Sequence, residues 1–347
     1  MKPVALVTGT VSPYRREPFR LLAEAEGVEV IAWEDPGKPV PGLTVHKASQ
    51  ARAARLVASG RYRAVIAGLG GRVALPGTYA AARARGIPFV LWASIWSHPR
   101  TAAHTLSLLP TRLLYRTADA VVTYGPHVTR HVELARRRGN VFEAPQAVSA
   151  ALFGAAVPDA DRRAWRERAG ASETGFLALF AGRLVEEKGV PVLLDAWRAA
   201  GLEDAALALA GEGPLGSGAT VLGAVPRAKL PALYAAADVL VLPSIRTATF
   251  TEPWGLVVNE AMHQGTPVIT TDTVGAAAGG LVRDGRNGLV VPERDAPALA
   301  DALRRLAGDR ALRERLGSAA KQDVAAYSEE AWVAGMRRAL GSVGAAR

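Results

Sequence analysis

The sequence predicts an α/β protein of two doubly wound, Rossmann-like domains, and three observations support this prediction. The chain has 347 residues, enough for two ordinary domains that each bury a core. Short β-branched or apolar runs alternate with helical stretches rich in Ala, Arg and Leu, the pattern of parallel sheets covered by helices. Two such series follow each other, so we expect two sheets with a cleft between their domains.

The first series predicts an N-terminal domain, which we place at residues 1–150. We expect strands at residues 3–8, 28–33, 64–67, 88–93 and 120–123, and helices at residues 17–26, 77–85 and 110–117. Residues 144–175 then contain Pro145, Pro158 and many small residues. We interpret this segment as a linker followed by the first charged helix of a second domain.

The second series predicts a C-terminal domain at residues 151–326. Its strands are expected at residues 176–181, 206–209, 239–242, 268–270 and 289–291. A last helix over residues 329–340 places Trp332, Val333, Met336 and Leu340 on one face, which is typical of an amphipathic helix. Ligands of doubly wound domains bind outside the carboxyl ends of the strands, so the loops that follow the strands are the first candidates for chemistry.

Composition excludes several kinds of site. The chain has no cysteine, which excludes disulfides, zinc–thiolate sites, iron–sulfur clusters and a cysteine nucleophile. The first ten residues are too short and too strand-like for a signal peptide, and no run of about 18 apolar residues occurs. We therefore expect a cytoplasmic protein.

The net charge of +10 is compatible with three kinds of partner: nucleic acid, an acidic membrane surface or an anionic small molecule. The basic residues are nearly all Arg and are scattered along the chain, and the short clusters at 136–138 and 162–163 are expected on solvated helix faces. Aromatic residues make up 6% and do not interleave with the basic ones, as they do on many nucleic-acid-binding surfaces. We expect no nucleic-acid partner, and the charge favours an anionic ligand only weakly.

Two cations in one loop form the first candidate site. Arg183 and Lys188 lie between a predicted strand and a predicted helix, in a loop bounded by glycines. Lysine occurs only six times in the chain, which makes Lys188 conspicuous among the arginines. The two side chains could neutralise a diphosphate together with the backbone N–H groups at the helix start. A surface loop with two chance cations explains the same residues equally well.

Two glutamates eight positions apart form the second candidate site. Glu252 precedes a predicted helix, and Glu260 lies inside that helix among apolar neighbours. A carboxylate in such surroundings is costly unless a donor binds it, and a pair of ribose hydroxyls would do so. Glu252, beside the helix start, could accept hydrogen bonds from sugar hydroxyls. The alternative is an acidic helix cap at Glu252 and a solvated helix residue at Glu260.

Six short motifs follow one another in the second half of the chain. They are GRLxxxKG at residues 182–189, GEGP at 211–214, LGAV at 222–225, LYAAADVLVLPS at 233–244, the two glutamates with seven residues between them, and DGRNGLV at 284–290. Each motif alone is weak. Their order and spacing together resemble those of the family-4 retaining glycosyltransferases of the GT-B fold, over essentially the whole second half.

The resemblance implies a role for each matching residue of the donor side. Arg183 and Lys188 would bind the diphosphate of a nucleotide-sugar donor, in place of the metal that other transferases use. Glu260 would hold the donor ribose, and Glu252 would contact the transferred sugar. Backbone groups would complete the donor site at Val225, Trp254, Gly255 and Leu256. The last helix, at residues 327–345, would pack back on the first domain.

The acceptor side resembles the family more loosely. The resemblance places it in the first domain, at Gly9, Tyr14, Arg15, His98 and Arg100. Residues 8–16 contain one glycine, where family members often have a pair. Family members also often place a histidine near the reacting sugar, after the fourth strand. His98 is the candidate, a few residues later than in the family pattern, and His104 is the second choice; a purely structural histidine is the alternative.

The resemblance implies a metal-independent, hexosyltransferase-type enzyme that moves a sugar from a nucleoside-diphosphate-sugar to an acceptor hydroxyl with retention of anomeric configuration. The donor would be a co-substrate, and no cofactor is expected. The acceptor class stays open between a small molecule, a glycan and a lipid-linked molecule, as does peripheral contact with the inner face of the membrane. The alternatives are a nucleotide-sugar epimerase or a phosphorylase on the same fold, or a non-catalytic nucleotide-binding protein.

Overall fold

The computed structural model describes residues 1–98 and 101–347, with the side chains of residues 102–105 excepted. The chain forms two compact units, Met1–Ala147 together with Ser328–Arg347, and Val148–Tyr327. Both are α/β units built on a sheet with crossover connections, so the predicted fold class is confirmed. None of the helices in the described ranges is long and apolar enough to cross a membrane.

The first unit is built on a seven-stranded sheet. Its strands are β1 (Val4–Thr8), β2 (Val28–Ala32), β3 (Thr44–Lys47), β4 (Ala64–Gly68), β5 (Phe89–Ala93), β6 (Ala120–Thr123) and β7 (Val141–Glu143). They lie in the order β3-β2-β1-β4-β5-β6-β7, and neighbouring strands are parallel. The chain changes its direction of winding between β1 and β4, the position where doubly wound sheets bind ligands.

Alternate residues of β1 face opposite sides of this sheet and belong to two separate cores. Val4 and Leu6 lie in one core, and Ala5 and Val7 lie in the other. The helices are α1 (Arg16–Glu26), α2 (Gln50–Ala58), α3 (Ala74–Arg85), α4 (Ala102–Thr117) and α5 (Pro126–Glu133). Helix α1 covers the first of these cores, and α2 to α5 cover the second.

The second unit is built on a six-stranded parallel sheet. Its strands are β8 (Phe176–Ala181), β9 (Ala205–Ala210), β10 (Thr220–Gly223), β11 (Val239–Leu242), β12 (Val268–Thr271) and β13 (Gly288–Val291), in the order β10-β9-β8-β11-β12-β13. All six residues of β8 are buried, as expected of a central strand that helices cover on both faces.

Eight helices belong to the second unit over its described residues. They are α6 (Ala150–Phe153), α7 (Asp159–Arg168), α8 (Val190–Ala200), α9 (Leu230–Ala236), α10 (Leu256–His263), α11 (Gly275–Ala278), α12 (Ala296–Gly308) and α13 (Arg310–Val324). Aspartates fix two of the starts, because Asp295 accepts from Ala298 N and Asp309 accepts from Leu312 N.

The C-terminal helix α14 (Glu329–Ser342) belongs to the first unit. Ser328 caps its start by accepting a hydrogen bond from Ala331 N at 3.1 Å. Trp332 is fully buried, with its ring centroid 5.7 Å from that of Phe19 and 5.6 Å from that of Trp92. These rings join α14 to α1 and β5 in one core.

Three strands were not predicted, and all three lie at sheet edges. β3 and β7 are the two edges of the first sheet, and β10 is an edge of the second. None of the seven residues of β3 and β7 is buried, so these strands have no apolar run to detect. The predicted helix start at Pro110 is wrong, because α4 begins at Ala102 and contains Pro110 in its interior. Proline favours the first turn of a helix, and for this reason the sequence pattern indicated a helix start at Pro110.

The arginine cluster at 136–138 is only partly on the surface. Arg136 is buried and donates to the carbonyl oxygens of Tyr115 at 2.8 Å and Ala118 at 2.9 Å, at the end of α4. The expectation of a solvated helix face is therefore wrong for Arg136. Arg162 and Arg163 are exposed on α7, as predicted.

Candidate functional site

The loops that leave the second sheet meet at one edge, because all its strands are parallel. The loop after β8 carries Arg183 and Lys188, and the longer loop after β11 carries Ser244 and Glu252. Since β8 and β11 are neighbours in the sheet, these two loops lie side by side. This edge is the candidate donor site.

Glycine at position 189 permits the close contact of the two loops. Gly189 has a φ of +73°, and a Cβ atom there would clash with the carbonyl oxygen of Pro243. Two residues further along the second loop, Ile245 N donates to Glu187 O at 3.0 Å. The loop after β8 therefore packs directly against the end of β11, and Lys188 is carried towards Glu252.

Lys188 and Glu252 form an ion pair at this edge. The Lys188 ammonium donates to Glu252 Oε2, and Ser244 Oγ donates to the same oxygen at 3.1 Å. The exposed fractions of the two side chains are 16% for Lys188 and 8% for Glu252, so the pair is largely withdrawn from solvent. The Lys188 ammonium also lies 5.1 Å from the ring centroid of Phe250. Glu252 is thus a buried, paired carboxylate, and α10 begins without a side-chain cap.

Arg183 has a different partner. Its guanidinium is largely exposed and donates to Glu187 at 2.9 Å. The two cations of this loop therefore use separate carboxylates. Helix α8 begins directly after Gly189 without a side-chain cap, so its first turn presents backbone N–H groups at the same edge. Arg183, Lys188 and these N–H groups are donors that an anion at this edge could bind, and both cations are already paired with carboxylates.

Glu260 is held by a tyrosine that sequence reasoning missed. Tyr234 OH donates to Glu260 Oε2 at 2.6 Å. Burial raises the pKa of Glu260 to about 7, while the bond from Tyr234 and the charge of Arg227 lower it. Glu260 is therefore not a solvated helix residue. The motif LYAAADVLVLPS contains Tyr234 and Ser244, and their hydroxyl groups were the available signal.

The backbone candidates lie around the start of α10. Trp254 is buried, and its indole N–H donates to Asn259 Oδ1 at 2.7 Å. Gly255 has a φ of +93°, and a Cβ there would lie 2.6 Å from Leu242 Cδ2. Helix α10 begins at Leu256 without a side-chain cap. Val225 lies in the loop after β10, at the same edge of the sheet.

On the acceptor side, Arg15 is an interior residue of the first unit. It lies with Tyr14 in a short 3₁₀ turn after β1, whereas Gly9 directly follows that strand. The Arg15 guanidinium donates to Tyr124 OH at 3.3 Å and to Gln146 Oε1. It lies 4.6–5.8 Å from the ring centroids of four residues, Tyr14, Trp92, Tyr124 and Trp332. This burial gives Arg15 a packing role that the sequence did not predict.

His98 lies five positions after the end of β5. Its Nε2 atom is 3.5 Å from Ser107 Oγ of α4. The pKa of His131 is lowered by burial and by the neighbouring His98 and Arg112, so two imidazoles lie in one region of the first unit. Arg100 lies outside the described residues, as does the side chain of His104.

Comparison with known proteins gives a family match in the second unit. The family described as "Glycosyl transferases group 1" matches residues 161–323, which lie entirely in the second unit. A D-inositol 3-phosphate glycosyltransferase of Salinispora arenicola is 34% identical over 208 residues, 52% of this chain and 44% of that protein. An alpha-D-kanosaminyltransferase of Streptomyces kanamyceticus is 32% identical over 210 residues, 54% of this chain and 52% of that protein. The matches span about half the length of these curated relatives.

Solved structures match over nearly the full length. A sucrose-phosphate synthase from Thermosynechococcus elongatus has a TM-score of 0.80 at 21% identity, covering 99% of this chain and 100% of that one. Anabaena HepE, in complex with UDP-glucose, has a TM-score of 0.77 at 18% identity, again covering 99% and 100%. These likenesses show the fold. The chain therefore has the GT-B fold, and its residues 161–323 match the group 1 glycosyltransferase family.

Proposed function

We propose that this chain transfers a sugar from a nucleoside-diphosphate-sugar to an acceptor hydroxyl with retention of anomeric configuration. The observation that carries the proposal is the Lys188–Glu252 pair, placed with Ser244 at the carboxyl edge of a sheet in the matched unit. The names of the curated relatives describe glycosyl transfer, and Anabaena HepE was crystallised with UDP and with UDP-glucose. Family-4 membership is part of this proposal.

The charges of the second unit suit a diphosphate leaving group. As the bond between the anomeric carbon and the diphosphate breaks, negative charge develops on the departing oxygen. Lys188 has three N–H donors, so it can remain paired with Glu252 and also donate to the diphosphate. Arg183 and the N–H groups at the start of α8 add positive charge at the same edge. In this proposal these groups do the work of a metal ion, and no cofactor takes part.

Retention follows in this proposal from attack on the face that the diphosphate leaves. The acceptor oxygen bonds to the anomeric carbon, and its proton passes to an oxygen of the departing diphosphate. Glu252 orients the transferred sugar, and Glu260 holds the ribose. We assign the backbone contacts with the donor to Val225, Trp254, Gly255 and Leu256. We assign the contacts with the acceptor to Gly9, Tyr14, Arg15, His98 and Arg100.

The test is release of nucleoside diphosphate from a panel of nucleotide-sugars, with and without a panel of acceptor alcohols. We expect acceptor-dependent release that persists in a chelator, and a product whose anomeric proton coupling matches that of the donor. Isomerised donor without release would indicate an epimerase. Strict dependence on inorganic phosphate would indicate a phosphorylase, and binding without turnover would indicate a nucleotide-binding protein. Activity that is lost in the chelator and restored by magnesium or manganese would contradict metal independence.

We also propose that the first unit contacts the anionic inner surface of a membrane through α4. Leu106, Leu109 and Leu113 are spaced along one face of this helix and are 82%, 73% and 56% exposed. Arg112 and Arg116 are exposed on the same helix, and residues 96–118 contain no Asp or Glu. An apolar face with arginines and no acidic residue complements anionic lipid.

A neighbouring segment extends this face. The Arg136 guanidinium bonds to backbone carbonyl oxygens at the end of α4 and so holds residues 134–138 beside that end, and Leu134 is 84% exposed there. Arg137 and Arg138 are exposed in the same segment, while Glu133 is an exposed acidic residue before it. The surface is therefore predominantly cationic, which favours a bilayer as the occupant.

Co-sedimentation with phosphatidylcholine vesicles, with and without phosphatidylglycerol, tests this contact. We expect binding only to the anionic vesicles and its loss in Leu109→Asp/Leu113→Asp. Val221→Asp is the matched control, because Val221 is 50% exposed on the second unit and should not affect binding. Unchanged vesicle binding in the double variant would contradict the contact. Concentration-dependent dimerisation that the double variant abolishes would assign the face to a second copy of the chain instead.

A further inference from the structure

Tyr234 holds the Glu260 carboxylate by a hydrogen bond, although Tyr234 itself has no role in the proposed reaction. The two residues lie on separate helices, α9 and α10, and the phenol donates to Glu260 Oε2 at 2.6 Å. Tyr234 is fully buried, and its own carbonyl oxygen accepts from Thr266 Oγ1 at 2.7 Å. The surrounding core thus fixes the phenol, and the phenol fixes one end of the carboxylate.

The hydrogen bond from Tyr234 occupies Oε2 of Glu260 and leaves Oε1 available to a ligand. Within the described part of the chain, Glu260 Oε1 has no protein hydrogen-bond partner, and the residue is partly exposed. A carboxylate can accept bonds on both oxygens, so Oε1 can accept from a ribose hydroxyl while Oε2 stays with Tyr234.

The charged groups near Glu260 are few. Arg227 precedes α9, and its charge lowers the pKa of Glu260, but burial outweighs it and raises that pKa to about 7. Lys321 of α13 faces His263, one turn further along α10. The other elements packed on α10, which are α6, β11 and β12, carry no charged side chain. Burial also raises the pKa of Tyr234 well above its ordinary value, so the phenol remains a donor across the working pH range.

We propose that Tyr234 is a positioning residue of the donor site, which holds one oxygen of Glu260 so that the other meets the donor ribose. This inference rests on the proposed function, because it assumes that Glu260 binds the ribose. Without the phenol, the carboxylate would be free to rotate away from the ribose. It would also lose a bond that favours its ionised form, so it would protonate at a higher pH.

The test compares two ligands that differ only in the ribose hydroxyls. UDP, GDP, ADP and CDP are titrated calorimetrically, and the tightest binder is compared with its 2′,3′-dideoxy analogue between pH 6 and pH 8. Both ligands carry the same titrating phosphates, so the ratio of their dissociation constants reports the ribose contact alone. In the wild-type protein we expect a preference for the ribonucleotide that weakens as the pH falls below about 7, where Glu260 is protonated.

Tyr234→Phe keeps the ring and removes only the hydroxyl. We expect it to reduce the ribonucleotide preference about three- to tenfold at pH 8, and to move the loss of preference to a higher pH. In a Glu260→Gln background the same substitution should have no further effect. Tyr115→Phe is the matched control, because Tyr115 is buried in the first unit and its hydroxyl has no partner among the described residues.

The possible failures are distinguishable. If none of the four nucleotides binds, or if the wild-type protein does not prefer the ribonucleotide at any pH, the proposed donor site is contradicted. If the wild-type protein shows the preference but Tyr234→Phe retains it with an unchanged pH profile, the donor site stands and the positioning role is overturned. Should Tyr234→Phe fail to fold, Thr266→Val loosens the backbone of Tyr234 and leaves its phenol in place. A smaller loss of the same preference in Thr266→Val would then support the inference. An unchanged preference in that variant would overturn it.

Discussion

At the residue scale, the Glu260 carboxylate that is proposed to bind the ribose also lowers the free energy of unfolding when it is ionised. Burial raises its pKa from the ordinary 4.5 to about 7. Between these two pH values the folded protein binds the proton more tightly than the unfolded chain does. The stabilising effect of the protonated carboxyl is therefore fully present below about pH 4.5 and is lost as the pH rises through about 7.

Glu260→Gln should remove this pH dependence, because an amide does not titrate there and its oxygen can still accept from Tyr234. We expect the variant to exceed the wild-type protein in free energy of unfolding by about 1–3 kcal/mol at pH 8, and by much less at pH 5. Urea unfolding at the two pH values measures the difference, with Glu133→Gln as an exposed control. An equal difference at both pH values would contradict the assigned titration.

The Lys188–Glu252 pair should show strong coupling. Lys188→Met leaves Glu252 largely buried without its cation, and Glu252→Gln leaves the cation without its carboxylate. We expect each single variant to lose about 1–4 kcal/mol of unfolding free energy, and the double variant to lose less than the sum of the two. Urea unfolding of the four proteins measures the coupling. Additive losses would show that the two side chains do not interact in solution.

At the element scale, the loop after β8 depends on a glycine at its contact with the end of β11. Gly189 and Gly201 have similar left-handed conformations, with φ values of +73° and +58°. A Cβ at Gly189 would clash with Pro243 O, whereas a Cβ at Gly201 would meet no atom within 4 Å. The two positions therefore separate the cost of the conformation from the cost of the clash.

Gly189→Ala should consequently lower the free energy of unfolding more than Gly201→Ala does. We expect about 1 kcal/mol of destabilisation at Gly201, and at least about 2 kcal/mol more at Gly189, where the loop must move. The same movement should weaken nucleoside diphosphate binding only in Gly189→Ala. Thermal unfolding and calorimetry of both variants provide the comparison, and equal effects would show that the close contact is unimportant.

Central strands and the largely buried edge strand β13 were predictable from sequence, and the more exposed edge strands were not. The bounds of β8 and β11 match their predicted residues because buried central strands are continuous apolar runs. Thr44–Lys47 and Val141–Glu143 lie at edges, where partial exposure removes that pattern. The early start of α4 was missed because Pro110 lies inside the helix, although proline usually marks a boundary.

The sequence predicted which charged residues belong to the candidate site, but it did not predict which side chains they contact. The motifs brought out Lys188, Glu252 and Glu260, whereas their contacts with each other and with Ser244 and Tyr234 depend on the sheet order. Hydroxyl groups in a strand motif have many structural uses, so the sequence alone gives no reason to pair them with a carboxylate 8 or 26 positions away.

At the scale of the whole molecule, the first unit depends on the C-terminal helix that returns to it. Trp332→Ala would remove a fully buried ring that contacts Phe19 and Trp92. We expect a loss of about 3–5 kcal/mol in the stability of this unit. Hydrogen exchange should speed up in β1 and β5 and remain unchanged in β8 and β11. Faster exchange confined to α14, or spread equally over both units, would contradict this view of the first core.

The second unit is the proposed site of nucleotide binding, so a nucleoside diphosphate should stabilise that unit. At about 100 times its dissociation constant the ligand should add about 2.7 kcal/mol to the unit that binds it. Hydrogen exchange should therefore slow most in the loops after β8 and β11. Protection confined to the first unit would place the nucleotide elsewhere.

We assign Glu252 to the transferred sugar and Glu260 to the donor ribose. The most direct measurement titrates Glu252→Gln and Glu260→Gln with the nucleoside diphosphate product, beside a turnover assay with the intact donor. The product retains the ribose and lacks the sugar, so Glu260→Gln should weaken its binding about tenfold or more, while Glu252→Gln should bind it normally and lose turnover. Normal product binding by Glu260→Gln, or loss of product binding by Glu252→Gln, would contradict the assignment.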